Sequence, residues 1–291
     1  MRHIHAAIAG TLAFALLQSF MVADARAEDQ RLARGRYLMS SLAACGNCHT
    51  PRGPDGATQW DRELSGGPPV KDAAFDAFPP NITTDTKAGI GRWTNAQLKR
   101  AIREGIRPDG SLIGPPMPFG FYRDMADSDL EAIIAYLRQV KPNSNTPPRS
   151  VYHIPLPPSY GPPIKQAIKA PARSDTLAYG AYLAGPVAHC MECHTPMVKG
   201  QTDRSKMGAG GNAFNGPWGT SVARNLTPHE SGLKNWSDAE IEKAVREGVS
   251  RDGSRLKPPM AFDYYKSMKP EDMKAIIAYL RSLPPTPTGG L

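Results

Sequence analysis

The amino-acid sequence predicts an all-α fold of two tandem domains joined by a proline-rich connector. Three observations carry this. The chain is internally duplicated: AIIAYLR occurs at 132–138 and again at 275–281, RWTNAQLKRAIREGIRPDGSLIGPPMPF (92–119) matches NWSDAEIEKAVREGVSRDGSRLKPPMAF (235–262), and LARGRYL (32–38) answers LAYGAYL (177–183). Each half carries three helical segments and little strand-like alternation. Between the halves runs KPNSNTPPRSVYHIPLPPSYGPPIKQAIKAPAR, whose prolines cannot donate to a helix or to a central strand. The expected organisation is a leader at 1–27, a first domain at 28–145, a proline-rich linker at 146–172 and a second domain at 173–291.

The leader is read from MRHIH, a short basic start, followed by the uncharged AAIAGTLAFALLQSFMV and by ADARA, which sets Ala25 and Ala27 at an A-x-A cleavage pattern. This predicts an exported, periplasmic chain starting at Glu28. The whole sequence carries +8. Loss of Arg2, Asp24 and Arg26 leaves about +7, a basic surface that steers towards acidic partners or anionic lipid and is compatible with peripheral membrane association. No aromatic-interleaved basic stripe accompanies it, which with export argues against nucleic acid as a partner.

In each half the first helix is expected over about 29–42 and 175–186. The second opens at Thr94 with Gln97 three residues on, and at Ser237 with Glu240, two capping boxes. The third opens at Ser128 with Glu131 and ends near Pro142; its counterpart has Pro270 in the first turn and ends before Pro284. Gly35 with Tyr136, and Gly180 with Tyr279, suit a close crossing of the first and last helices. Long loops and many Pro and Gly leave a thin side-chain core, so another group is expected to fill the middle of each domain.

All four cysteines stand in one repeated motif, CGNCHTP at 45–51 and CMECHTP at 190–196. A structural zinc site wants four ligands, but each pair lies alone in its own repeat. A thioredoxin-like pair belongs beside a βαβ pattern, which is missing, and a disulfide across two residues would leave the histidine unexplained. Cys-x-x-Cys-His is the attachment pattern of c-type haem. Cys45, Cys48, Cys190 and Cys193 are expected to bond the porphyrin vinyl groups, with His49 and His194 beneath the iron. Two covalent haem c groups follow.

For the far side of each iron, GPPMPF and KPPMAF place Met117 and Met260 at equivalent, proline-stiffened positions. A thioether suits haem iron and raises its reduction potential. Met125, Met197, Met207 and Met268 are substitutes, read as unpaired across the repeat. His153, His189 and His229 are expected as surface histidines. Trp93 and Trp236 also recur, as core residues or as walls of the haem whose indole N–H bonds a propionate. No residue is assigned a catalytic role.

With these motifs in hand, the chain resembles a class I cytochrome c domain twice over. CGNCHTP, NITTDTKAGIGRWT, AIREGIRPDGSLIGPPMPF and their second-half partners are similar to the multihaem cytochrome c subunits of periplasmic dehydrogenases for alcohols, aldehydes and gluconate. Alcohol dehydrogenase subunits of this kind carry three haems and a C-terminal amphipathic anchor; here there are two motifs and the end PPTPTGGL. The resemblance implies a relay without chemistry of its own. Electrons come from a dehydrogenase and leave to a terminal oxidase or another cytochrome. The enzymatic alternative is a dihaem peroxidase, which needs one haem open to peroxide. A thiosulfate dehydrogenase would need a spare cysteine as an iron ligand.

Overall fold

The computed structural model describes residues 26–289. The expected leader falls outside the described residues apart from its last two positions. No helix among the described residues is long and apolar enough to cross a membrane.

The first half comprises α1 (26–40), α2 (Cys45–His49), α3 (Asn95–Glu104), α4 (Phe119–Tyr122) and α5 (Asp127–Leu137). The second repeats the order with α6 (Thr176–Tyr182), α7 (Cys190–Cys193), α8 (Asp238–Glu247), α9 (Phe262–Tyr265) and α10 (Pro270–Ser282). The helix expected to reach residue 186 ends earlier and passes into a π turn over Leu183–Val187 that contains Pro186. Proline has no N–H for the carbonyl four residues back, so the α ladder cannot continue.

The all-α expectation needs correcting. Three antiparallel ribbons accompany the helices: β1 (Val70–Asp72), β2 (Phe75–Ala77) and β3 (Val151–Tyr152); β4 (Met197–Val198) with β5 (Gln201–Thr202); β6 (Ala213–Gly216) with β7 (Gly219–Val222). At two to four residues each, these strands are too short to print a period-two pattern. The β4–β5 turn needs φ of 51° at Lys199 and 75° at Gly200, the left-handed pair that closes a tight hairpin.

Both capping boxes form. Thr94 Oγ1 accepts from Gln97 N at 3.2 Å and Gln97 Oε1 accepts from Thr94 N at 2.8 Å; Ser237 and Glu240 do the same at 3.3 and 2.7 Å. The box expected at Ser128 does not form. Its helix is capped two residues earlier, at Ala126, and ends at Leu137 rather than near Pro142. Asp127 instead accepts from Arg103 Nη1 at 2.6 Å and from Ile168 N at 3.3 Å.

The two glycine crossings hold. A Cβ on Gly35 would collide with Ala132 O in α5, and one on Gly180 with Ala275 O in α10. Close approach lets Leu38, Leu42, Leu130 and Ile133 bury fully against one another, as do Leu183, Val187, Ile276 and Leu280. Each such side chain contributes about 1.5–3 kcal/mol. One contiguous apolar cluster runs through both halves.

The connector is a strap along the first half. Asn81 Nδ2 donates to Asn143 O and Asn145 O at 2.7 and 2.8 Å. Val151 and Tyr152 extend the β1–β2 sheet. Gly114 N donates to Tyr152 Oη at 3.0 Å, and Tyr160 stacks on Phe119 at 4.9 Å.

The halves dock through a reciprocal interface. Tyr37 Oη donates to Asp272 Oδ2 and accepts from Lys269 N, at 2.7 and 3.0 Å. At the equivalent repeat positions, Tyr182 Oη donates to Asp129 Oδ2 and accepts from Ala126 N, at 2.7 and 3.2 Å. Arg34 pairs with Asp129 through two bonds of 2.8 and 2.9 Å, and Arg173 reaches Asp272 at 3.4 Å. This is the self-complementary contact of a two-fold dimer, made within one chain. Burial, reinforced by the neighbouring carboxylate, pushes both phenols well above the usual tyrosine range.

Candidate functional site

Each Cys-x-x-Cys-His motif forms one helical turn, entered through a left-handed residue, Ala44 at φ 45° and His189 at φ 41°. The turn closes by Thr50 N donating to Gly46 O and His194 N donating to Cys190 O, both at 3.0 Å. Residues three and four apart share a helix face, so Cys45, Cys48 and His49 present together. All four cysteines are unpaired. Among the described residues no three His, Cys, Asp or Glu side chains gather to hold a metal ion, so zinc lacks a ligand set. Burial pushes the Cys45 and Cys190 thiols up to about 12, an environment that favours a neutral sulfur such as a thioether.

The two histidines are held by their inner nitrogens. His49 Nδ1 donates to Pro80 O at 2.8 Å and His194 Nδ1 to Arg224 O at 2.6 Å. With the proton fixed on Nδ1, Nε2 keeps a lone pair for a metal. Burial lowers both imidazoles below the usual histidine range, partly opposed by those carbonyls, so the ring stays neutral and able to ligate.

Residues not singled out from the sequence brace these turns. Thr50 and Thr195 are fully buried. Their hydroxyls accept from Leu64 N and Gly208 N, each at 3.1 Å. Asn81 Oδ1 accepts from Thr83 N and Oγ1, and Asn225 Oδ1 from Thr227 N and Oγ1, all at 2.7–2.9 Å. The only signal for them was the recurrence of Thr after each histidine and of NITTD and NLTPH.

Met117 and Met260 lie half-buried against the apolar cluster, in loops pinned alike. Ile113 N donates to Gly105 O at 2.7 Å and Leu256 N to Gly248 O at 2.8 Å. Asp109 caps Ser111 and Asp252 caps Ser254 within the same turns. The substitutes behave differently. Met125 and Met268 do recur at matching positions, contrary to expectation, but both are enclosed in the core, and their carbonyls take the guanidinium groups of Arg103 and Arg246. Met207 Sδ accepts from Thr195 Oγ1 at 3.3 Å, and Met197 is exposed on its hairpin.

Trp93 and Trp236 pack half-buried on the cluster, and their carbonyls accept from Arg138 and Arg281. His229 bonds Ser231 and is half-buried, and His153 faces Asp76 at 3.8 Å from the connector. His189, expected on the surface, instead meets Tyr122 edge-on at 5.6 Å between the two halves. Paired thiols on one turn, an imidazole with its outer nitrogen free and a thioether loop in each half fit the donor set of a c-type haem.

The cytochrome c family model matches residues 32–141 and 178–284, and the chain belongs to that family. It carries two covalently bound haem c groups. It is similar to the fructose dehydrogenase cytochrome subunit of Gluconobacter japonicus, at 32% identity over 89% of this chain and 54% of that one. The cytochrome c subunit of the quinone alcohol dehydrogenase of Gluconobacter oxydans is 29% identical over 93% of this chain and 59% of its own length. A dihaem c-type cytochrome of Cereibacter sphaeroides is 29% identical over 82% of both chains. The chain thus spans little more than half the length of these two dehydrogenase subunits.

Proposed function

We propose that the protein is a periplasmic electron relay. It takes electrons from a dehydrogenase and passes them to a downstream cytochrome or a terminal oxidase. The observation that carries this is the equivalence of the two sites: each half presents the same turn of two thiols and one Nδ1-anchored histidine, together with the same pinned methionine loop. A bound haem supplies reversible one-electron exchange at iron. The chain's own residues do the rest. Cys45 and Cys48, and Cys190 and Cys193, tether the porphyrin edge. His49 and His194 offer Nε2, while Pro80 and Arg224 carbonyls hold the ring tautomer. Met117 and Met260 would offer a thioether to each group, and Trp93 and Trp236 would pack against it. The equivalent methionines argue against the peroxidase alternative, which needs one side left open.

The test is spectroscopic. Purified holoprotein should retain two haems through denaturation and acid–acetone extraction, and both ferric haems should be low-spin with a near-infrared sulfur-to-iron band. It should bind carbon monoxide poorly and turn over peroxide negligibly. One high-spin haem with brisk peroxide turnover refutes the relay.

A further inference from the structure

Asn47 stands inside the first Cys-x-x-Cys-His turn, yet its side chain reaches into the other half. Its Nδ2 donates to Pro259 O at 3.0 Å, the residue before Met260. Its Oδ1 accepts from Arg52 Nη2, also at 3.0 Å. A guanidinium can only donate, so Arg52 fixes the amide with its oxygen inward and leaves Nδ2 for the carbonyl. The rest of the segment after Pro259 leans on the same region. Tyr264 sets its ring 5.5 Å from Trp60, and its hydroxyl lies where a Cβ on Gly46 would stand. Thr58 Oγ1 donates to Asp263 Oδ2 at 3.2 Å.

The opposite contact is built differently. Glu192, at the position equivalent to Asn47, turns to His189 Nδ1 at 3.5 Å. Support for the Met117 side comes from Arg204, whose Nη2 donates to Gly120 O at 3.0 Å and whose guanidinium covers Phe121 at 5.5 Å. Those contacts fall three and four residues beyond the methionine. Asn47 acts on the peptide directly before it.

We propose that Asn47 is a positioning residue for Met260, so that the first domain's haem turn sets the sixth ligand of the second haem. This rests on the reading of Met260 as that ligand. Pro258 and Pro259 have no N–H groups with which to tie the loop to its own domain. The carbonyl of Pro259 is therefore a handle on the methionine backbone, and it is held by the other half. Ligation at the second haem then depends on an intact first turn, which couples the two sites without any contact between their ligands.

The experiment uses holoprotein carrying Met117→Ala, in which the remaining sulfur-to-iron band belongs to the second haem. Adding Asn47→Ala should weaken that band and raise the carbon-monoxide-accessible fraction of the second haem roughly threefold to tenfold, the range spanned by one hydrogen bond. Asn47→Asp, which keeps an acceptor for Arg52 but loses the donor, should do the same. Arg52→Gln should act in the same direction with smaller effect. Haem content should stay at two per chain, separating a ligand effect from failed attachment. Arg204→Ala in a Met260→Ala background should disturb the first haem only. A band and carbon monoxide binding unmoved by Asn47→Ala overturn the proposal. If Met260→Ala alone leaves the band of the otherwise unaltered protein intact, the ligand assignment fails and the proposal with it.

Discussion

The two methionine loops are built alike and finished differently. Over 105–117 the loop lies beneath the connector: Tyr152 packs on Gly114, where a Cβ would strike its ring, and Tyr160 covers Gly105 and Phe119. Among the described residues no such cover lies over 248–260. Arg251, Arg255 and Lys257 stand where the first half has Pro108, Leu112 and Gly114, and all three are exposed. Lys257 stretches across to Thr220 O at 3.5 Å on β7, the strand equivalent to the one that β3 of the connector pairs with in the first half. One loop is insulated by apolar rings from its own chain. The other offers cations to solvent. Duplication repeated the two methionines, and the surroundings made their loops unequal.

Several changes would test that inequality. The largest effect should come from the ligands themselves. Met117→Ala and Met260→Ala should each remove about half of the sulfur-to-iron band and lower the potential of one haem, since methionine ligation raises it. If the surroundings matter, the two unaltered potentials will differ, and redox titration of each variant will assign them. Equal potentials would break the comparison.

Next comes the interface. Asp272→Ala removes the acceptor of the half-buried Tyr37 and the partner of the largely exposed Arg173, and should cost about 1–2 kcal/mol in thermal or denaturant unfolding. Asp129→Ala should cost more, because Arg34 grips that carboxylate with two bonds and Arg173 grips its counterpart with one longer one. Alkaline pH probes the same contacts. Tyr37 and Tyr182 have folded values raised above the unfolded one, so their contribution is complete below about pH 10 and declines as pH rises beyond it. Melting temperature against pH should fall in that window, and Tyr37→Phe with Tyr182→Phe should flatten the fall.

Gly114→Leu should displace Tyr152 and lift the strap, at about 1–3 kcal/mol of overpacking. Oxidation of the first haem by hexacyanoferrate(III) should then approach the rate at the second. Smallest is the charge effect. Arg255→Glu with Lys257→Glu should slow that anionic oxidant at the second haem and flatten its salt dependence, while Lys71→Glu with Lys87→Glu leaves it nearly unchanged.

What was readable in the sequence is what depends on neighbours along the chain. Thr94 with Gln97 and Ser237 with Glu240 are complete signals within four residues. Gly35 and Gly180 mark a crossing because the repeat shows each with its tyrosine. The haem turns are spelled out in five residues each. Ser128 with Glu131 failed as a signal because Asp127 found Arg103 and the connector, partners distant in sequence. The ribbons were hidden by their brevity. The interface was hidden by symmetry: the repeat shows that Tyr37 and Tyr182 are equivalent, as are Asp129 and Asp272, but only packing decides that each tyrosine takes the aspartate of the other half. Asn47 was invisible because it is one of two spacer residues in a motif defined by its cysteines, and its partner at Pro259 is distant in sequence.

The reciprocal tyrosine–aspartate clamp has a consequence for assembly. Two separate subunits joined by the same seam would have to overcome the full translational and rotational cost of association. The connector makes docking intramolecular, with an effective concentration on the millimolar scale. The two halves were free to diverge, Asn47 from Glu192 and Gly114 from Lys257, because no second copy had to match them.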